Sequence, residues 1–261
     1  MASSFDEGTG SRRIGRERSY RLLEEDVELA SVLSPEERAT AVREIVTPVL
    51  QVPRGMWNDI AGWDDVVSLK RSGIGLLILD GLLLRRVGID GRYGVELLGE
   101  GDVLRPWLTS GVGSSIETTA SWRAVAATRI AVVDDAATAA ISRYPALVVE
   151  IVGRALRRSR NLALNVAIVH HTRVDVRLEM ILWAIADRWG KVSPEGVRVP
   201  LRLTHEVLAE LVAARRPTVS STVSELARRG RVRSTSDGWL LCGEPPAELS
   251  ALTDALAPGD G

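Results

Sequence analysis

Residues 145–171, PALVVEIVGRALRRSRNLALNVAIVHH, read as one helix. At more than twice the roughly 12-residue average, this run constrains the fold more than any other feature of the chain. Val148, Val152, Ala155, Ser159, Leu162, Val166 and Val169 follow one another at steps of four and three, the spacing of a heptad seam. Val149, Leu156, Ala163 and Ala167 form a second stripe on another face. Two apolar faces predict that one side packs on the helix's own domain. The other side, the seam of Val148, Val152, Ala155, Leu162, Val166 and Val169, would then pack on a second copy. The same run separates two textures, and 261 residues with 45% hydrophobic content suffice for two small domains.

Upstream the texture is that of short strands. GIGLLILDGLLLRRVGIDGRYGVELLGEGDVL is cut by Asp80-Gly81, Asp90-Gly91 and Gly101-Asp102, and WRAVAATRIAVVDD adds one more strand ending at Asp134-Asp135. Such spacing predicts a compact antiparallel roll or barrel. From about Asp26 to Leu50 the pattern is helical, with Ser34 as N-cap and Pro35 in the first turn. Residues 1–25, with Arg12, Arg13, Arg16, Arg18 and Arg21, are expected to be a disordered basic tail. The start lacks the apolar core of a signal peptide and no segment approaches the ~20 apolar residues of a membrane span. The expectation is a cytoplasmic protein with no membrane partner.

Enzyme chemistry finds little support. Cys242 is the single cysteine, which excludes an internal disulfide framework and a cysteine-ligated zinc or iron-sulfur cluster within one chain. His170 and His171 are adjacent and diverge on a helix. GIGLLILDG lacks the helix that a dinucleotide fingerprint needs, and no nucleophile elbow is present. No catalytic residue, metal site or cofactor is therefore expected.

Downstream, VDVRLEMILWAIADRWG is a further amphipathic helix ended by Gly190. LTHEVLAELVAARRPTVSSTVSELARRGRV follows, from Leu203 to Val232. Thr204 is an N-cap, with Leu203 and Leu208 as a hydrophobic staple. The helix from His205 to Val212 is expected to bury Leu208, Leu211 and Val212. Its successor, from Pro217 to about Arg229, is expected to bury Val219, Val223, Leu226 and Ala227. Thr218, Ser220, Ser221, Ser224 and Arg228 then face outward, with Arg215 and Arg216 at the positive N-terminal end. GRVRSTSDGWLL reads as two short strands around Ser236-Asp237-Gly238, a wing beside the helices.

Charge is segregated in the same way. The formal net charge is only -1, yet residues 201–233 hold seven arginines (202, 215, 216, 228, 229, 231, 233) against three glutamates (206, 210, 225), a local +4. A large anion is the natural partner, and a helix-turn-helix needs its second helix to enter a groove about 12 Å wide. Arg216 is expected to read a guanine. Pro217, Thr218, Ser220 and Ser221 would line the base edges, and Arg215 and Arg233 would meet phosphates.

These residues resemble the winged helix-turn-helix of the Crp-Fnr family of bacterial transcription regulators, and the order of elements resembles it over roughly residues 26 to 245. The resemblance implies an α+β fold: an N-terminal antiparallel β-roll like a cyclic-nucleotide-binding domain (26–144), a dimerisation helix (145–172) and a C-terminal winged helix-turn-helix (173–245), with a tail at 246–261. It also implies a homodimer, double-stranded DNA as ligand and RNA polymerase as a partner. The other reading is a small-molecule-binding signalling module whose C-terminal domain contacts protein.

Departures from the family pattern are specific. Its recognition helix offers an Arg, a Glu and a second Arg; here Arg216 matches the first, while Pro217 and Ser221 replace the others. In the phosphate cassette the usual Arg falls on Thr118, followed by Thr119 and Ala120, and the Gly-Glu pair is replaced near Arg105-Pro106-Trp107. Arg105 or Arg123 is left as a substitute cation, and Trp107 as a pocket wall, so the candidate effector residues are Arg105, Trp107, Thr118, Thr119 and Arg123. A haem-sensing role, which the family includes, would need an axial ligand in the sensor domain, and neither Cys nor His occurs before His170.

Overall fold

The computed structural model describes residues 15–56, 73–90, 92–106 and 118–246. Trp107, most of the cassette and the tail beyond 246 lie outside them. The chain divides into two compact units, Met1–Arg158 and Ser159–Gly261.

In the first unit, β1 (Gly15–Arg21) runs into three short helices, α1 (Leu22–Glu25), α2 (Val27–Ser31) and α3 (Pro35–Glu44). Among the described residues eight further strands follow: β2 (Val46–Val52), β3 (Gly55–Met56), β4 (Gly75–Asp80), β5 (Leu82–Ile89), β6 (Arg92–Gly99), β7 (Val103–Leu104), β8 (Thr119–Ala124) and β9 (Thr128–Val133). With β1 they form two antiparallel sheets, in the orders β1-β2-β9-β4-β7 and β3-β8-β5-β6. Alternation along each strand sorts the apolar side chains. Leu76 and Ile78 join Leu50, Leu83, Leu98, Trp122 and Ile130 between the sheets, whereas Leu77 and Leu79 point the other way, into a core with Leu22, Leu29, Ile141, Leu147 and Ile151. That second core is closed by α4 (Asp135–Ile141) and by the start of the long helix α5 (Pro145–Val169).

Several expectations are corrected here. Residues 15–25 are not a tail: β1 pairs with β2, and Leu22 and Leu23 are fully buried in α1. Helix does not extend to Leu50, because the β-branched Val46, Thr47 and Val49 take the strand β2 instead. The single strand expected near Trp122 is two strands, β8 and β9, flanking residues 125–127. The cap at Ser34 is as read: its hydroxyl accepts from Glu37 N–H at 3.3 Å, and the Glu37 carboxylate accepts from Ser34 N–H at 3.0 Å. Gly81, at φ +95, makes the turn between β4 and β5; a Cβ there would sit 2.4 Å from Ala127 O.

The second unit holds the end of α5, then α6 (Val174–Trp189), β10 (Lys191–Ser193), β11 (Gly196–Val199), α7 (His205–Leu211), α8 (Arg216–Arg228), β12 (Val232–Ser234) and β13 (Trp239–Leu241). The wing is larger than expected. Its two strands are half of a four-stranded antiparallel sheet in the order β10-β11-β13-β12. The signal for β10 and β11 was present in KVSPEGVRV, a turn tripeptide between β-branched residues.

No single helix among the described residues is long and apolar enough to cross a membrane.

Candidate nucleic-acid interface

The interface is assembled from the turn between α7 and α8. Thr204 Oγ1 accepts from Val207 N–H at 3.3 Å and starts α7, which buries Val207, Leu208, Ala209 and Leu211. The chain reverses at Ala213, a non-glycine residue held at φ 49, a conformation that costs an L-residue about 1–2 kcal/mol. Arg177 of α6 secures this turn, donating to Val212 O at 2.8 Å. Arg215 is the N-cap residue of α8 and contributes no side-chain cap bond, while Pro217 lies in the first turn. Val219, Val223 and Leu226 are buried. Ala227, expected inside, is exposed. The helix ends where Gly230 takes φ +69, letting Arg231 N–H reach Leu226 O at 2.9 Å.

The seven local arginines do not act alike. Arg231 is bound to Glu179 and to Glu244 O, Arg229 to Glu225 at 2.7 Å, Arg228 to the same Glu225 and Arg233 to Glu195 at 2.6 Å. Arg215 and Arg216 are exposed, and no ion pair joins either to another described residue. Arg202, before α7, is exposed as well, and two of these three exposed arginines stand at the N-terminal end of α8. Pro217, Thr218 and Ser221 are exposed beside it. Ser220 is not: it is half-buried and its Oγ lies 2.9 Å from His205 Nδ1. His205 also approaches the Trp239 ring, with centroids 6.1 Å apart, so Ser220 links α7 and α8 rather than facing outward. Only a contact between two helices decides this orientation.

The wing turn is fixed by its own hydrogen bonds. Thr235 Oγ1 donates to Asp237 Oδ1 at 2.8 Å, and that bond holds the Asp237 carboxyl below its usual range. Gly238 has no room for a side chain, since a Cβ would lie 2.1 Å from Val199 O.

Residues 176–243 match the family model of the Crp-like helix-turn-helix domain. The second unit therefore contains a Crp-like helix-turn-helix domain. It is 36% identical over 83 residues to a CRP-like cAMP-activated global transcriptional regulator of Mycobacterium tuberculosis, a match that spans 32% of this chain and 36% of that relative's length. In fold it is similar to a CooA variant from Carboxydothermus hydrogenoformans, with a TM-score of 0.58 at 16% identity over 92% of this chain and 98% of that one. A cyclic nucleotide-binding domain containing protein from Listeria monocytogenes has the same TM-score at 13% identity, over 82% and 96%. The α+β fold with a roll and a winged helix-turn-helix is thereby shown.

The expected effector residues that the structure describes lie at the ends of β7 and β8 and within β8. Arg105, just past β7, and Thr118, just before β8, are exposed. Thr119 pairs with Gly88, and its hydroxyl donates to Gly88 O at 3.5 Å. Arg123 pairs in register with Leu84 and Met56. Trp122 is core.

What joins the roll to α5 is an ion-pair network that apolar periodicity missed. Arg154, 4% exposed, grips Asp26 with both terminal nitrogens, at 2.5 and 3.0 Å, and reaches Glu150 at 3.2 Å. One turn on, Arg158 holds both Glu96 oxygens, at 2.6 and 2.9 Å, and donates to Val103 O at 3.0 Å. Arg85 reaches the same Glu96 at 3.4 Å while lying over the Trp122 ring. The roll-facing stripe is thus Leu147, Ile151, Arg154 and Arg158, which belongs to neither predicted apolar stripe. Those two stripes lie side by side on the open side of the helix: Val148, Val149, Val152, Leu156 and Val166 are all exposed, as is Ala155. Leu162 and Val169 are half-buried.

Proposed function

We propose that this protein is a homodimeric transcription regulator of the cytoplasm that binds double-stranded DNA through α8 and contacts RNA polymerase from the bound site. The observation that carries the reading is the exposed end of α8, where Arg215 and Arg216 stand unpaired among the described residues beside small polar side chains. Arg216 can meet guanine O6 and N7 together, Thr218 and Ser221 approach neighbouring edges, Arg215 serves phosphates, and Arg233 does so by exchanging its exposed partner Glu195 for one. The open apolar face of α5 supports a second copy as its cover, since burying Val148, Val152 and Val166 recovers the free energy that their exposure costs.

The roll is proposed to work without haem, an iron-sulfur cluster or cyclic AMP. A buried phosphate without its cation loses a charge-assisted pair, and the guanidinium groups nearest α5 are already engaged by Glu96 and Asp26. The test is a titration of binding to random duplex against salt, where released counterions give a steep decline in affinity. A flat salt response would refute DNA as the ligand. Calorimetry with millimolar cyclic AMP is expected to show no saturable heat.

A further inference from the structure

The outward ridge of α8 is Pro217, Ser221, Ser224 and Arg228, which at 3.6 residues per turn lie opposite the buried Val219, Val223 and Leu226. From Pro217 to Ser224 this ridge presents hydrogen-bond acceptors and no donor. Pro217 has neither a backbone N–H nor a polar side chain. Ser221 donates its hydroxyl proton to Thr218 O at 2.9 Å, and Ser224 donates to Ser220 O at 3.0 Å. A hydroxyl has one proton and two lone pairs, so a serine whose proton is held by its own helix shows only lone pairs to a ligand. Thr222 on the flank is committed in the same way, to Thr218 O at 2.8 Å.

In the major groove, acceptors are answered by the amino groups of adenine N6 and cytosine N4, whereas guanine O6 and N7 and thymine O4 are themselves acceptors. Resting on the DNA-binding reading above, we infer that Ser221 and Ser224 are specificity-determining residues, each selecting an amino-bearing base, A or C, over a keto base, G or T, on the strand it faces. To meet a keto oxygen, either serine has to rotate its proton away from the helix and forfeit that bond. A freely rotating hydroxyl, able to donate and accept alike, has no such preference. The discrimination amounts to one neutral hydrogen bond, about fivefold in affinity at each position. Arg216 supplies the complementary element, donors that require a guanine, so each half-site joins one keto-purine position to two amino positions.

Site selection from a random duplex library with the full chain tests this, followed by competition binding with wild type, Ser221→Ala and Ser224→Ala. Alanine is a better helix former than serine, so both variants keep the helix, which circular dichroism checks. Two columns of each half-site are expected to be restricted to A or C, each relaxing in its own alanine variant. Replacing the selected adenine by purine, or the cytosine by 2-pyrimidinone, deletes the amino group. That deletion is expected to cost wild type about fivefold and the matching alanine variant nothing. Enrichment of G or T in those columns, or full wild-type affinity for the amino-deleted duplex, overturns the assignment of the two serines while leaving salt-dependent DNA binding intact. Absence of any salt-dependent duplex binding overturns the DNA-binding reading itself, and the assignment with it.

Discussion

Helices α5 and α8 are both amphipathic and both rich in arginine, and they use it in opposite ways. On α5, Arg154 and Arg158 turn inward and are occupied by carboxylates of the first unit and by Val103 O, so that charge continues the face begun by Leu147 and Ile151. Val148, Val149, Val152, Leu156 and Val166 of α5 are left on its open face. On α8 the arrangement is inverted: Val219, Val223 and Leu226 pack inward, and Arg215 and Arg216 remain open. Desolvation explains why the two uses separate. A guanidinium removed from water must be bound at nearly every nitrogen, and one awaiting a phosphate or a guanine must not be.

The comparison breaks most visibly at the open face of α5. Val152→Glu or Val166→Glu places facing carboxylates in the seam, at a cost of several kcal/mol to association. Light scattering is expected to show monomer that still unfolds cooperatively, at a midpoint no longer dependent on protein concentration; a persisting dimer would place the interface elsewhere. Next is the closed face of α5. Arg154→Ala strands the Asp26 carboxylate and is expected to destabilise the first unit by about 3 kcal/mol in urea unfolding. Arg216→Ala is the counterpart on α8: stability should stay within about 0.5 kcal/mol. Binding at the selected site should fall by about 1–3 kcal/mol, with one base-pair column relaxed.

Two smaller effects sharpen the contrast. Ala213→Gly relieves the positive φ in the turn before α8, and after allowing for the added freedom of the unfolded chain it should stabilise the second unit by about 0.5–1 kcal/mol in thermal unfolding. Burial works to raise the Glu150 carboxyl, but hydrogen bonds from Arg157 and Arg154 outweigh it and hold the group below its ordinary value of 4.5. A depressed acid stabilises the fold fully above its unfolded pKa and loses that contribution as pH falls through the folded one. Unfolding below pH 4.5 should therefore be steeper for wild type than for Glu150→Gln, by a fraction of a kcal/mol because the pair is partly solvated.

Much of the second unit was legible from local rules. The Thr204 cap, the first-turn proline of α8 and the valine and leucine spacing act over one or two turns, and the structure has them where they were expected. The roll was legible as short strands cut by Asp-Gly and Gly-Asp pairs, but not in its count, since β8 and β9 are parted by the apolar stretch Val125-Ala126-Ala127, which gives no turn signal. The strand at Gly15–Arg21 escaped because a stretch of Arg, Ser and Glu forms a strand only when β2 is there to pair with it.

The sequence by itself determined where helices start, which turns are tight, that one helix is very long and where positive charge collects, because each depends on residues a few positions apart. Tertiary structure alone decided which side of α5 faces the roll, that Ser220 serves His205 rather than the groove, and which of seven arginines stay open. Apart from Arg228 and Arg229, which Glu225 binds from the same helix, those outcomes depend on partners 15 to 128 residues away, and no local pattern encodes whether a buried charge will find its counterpart there.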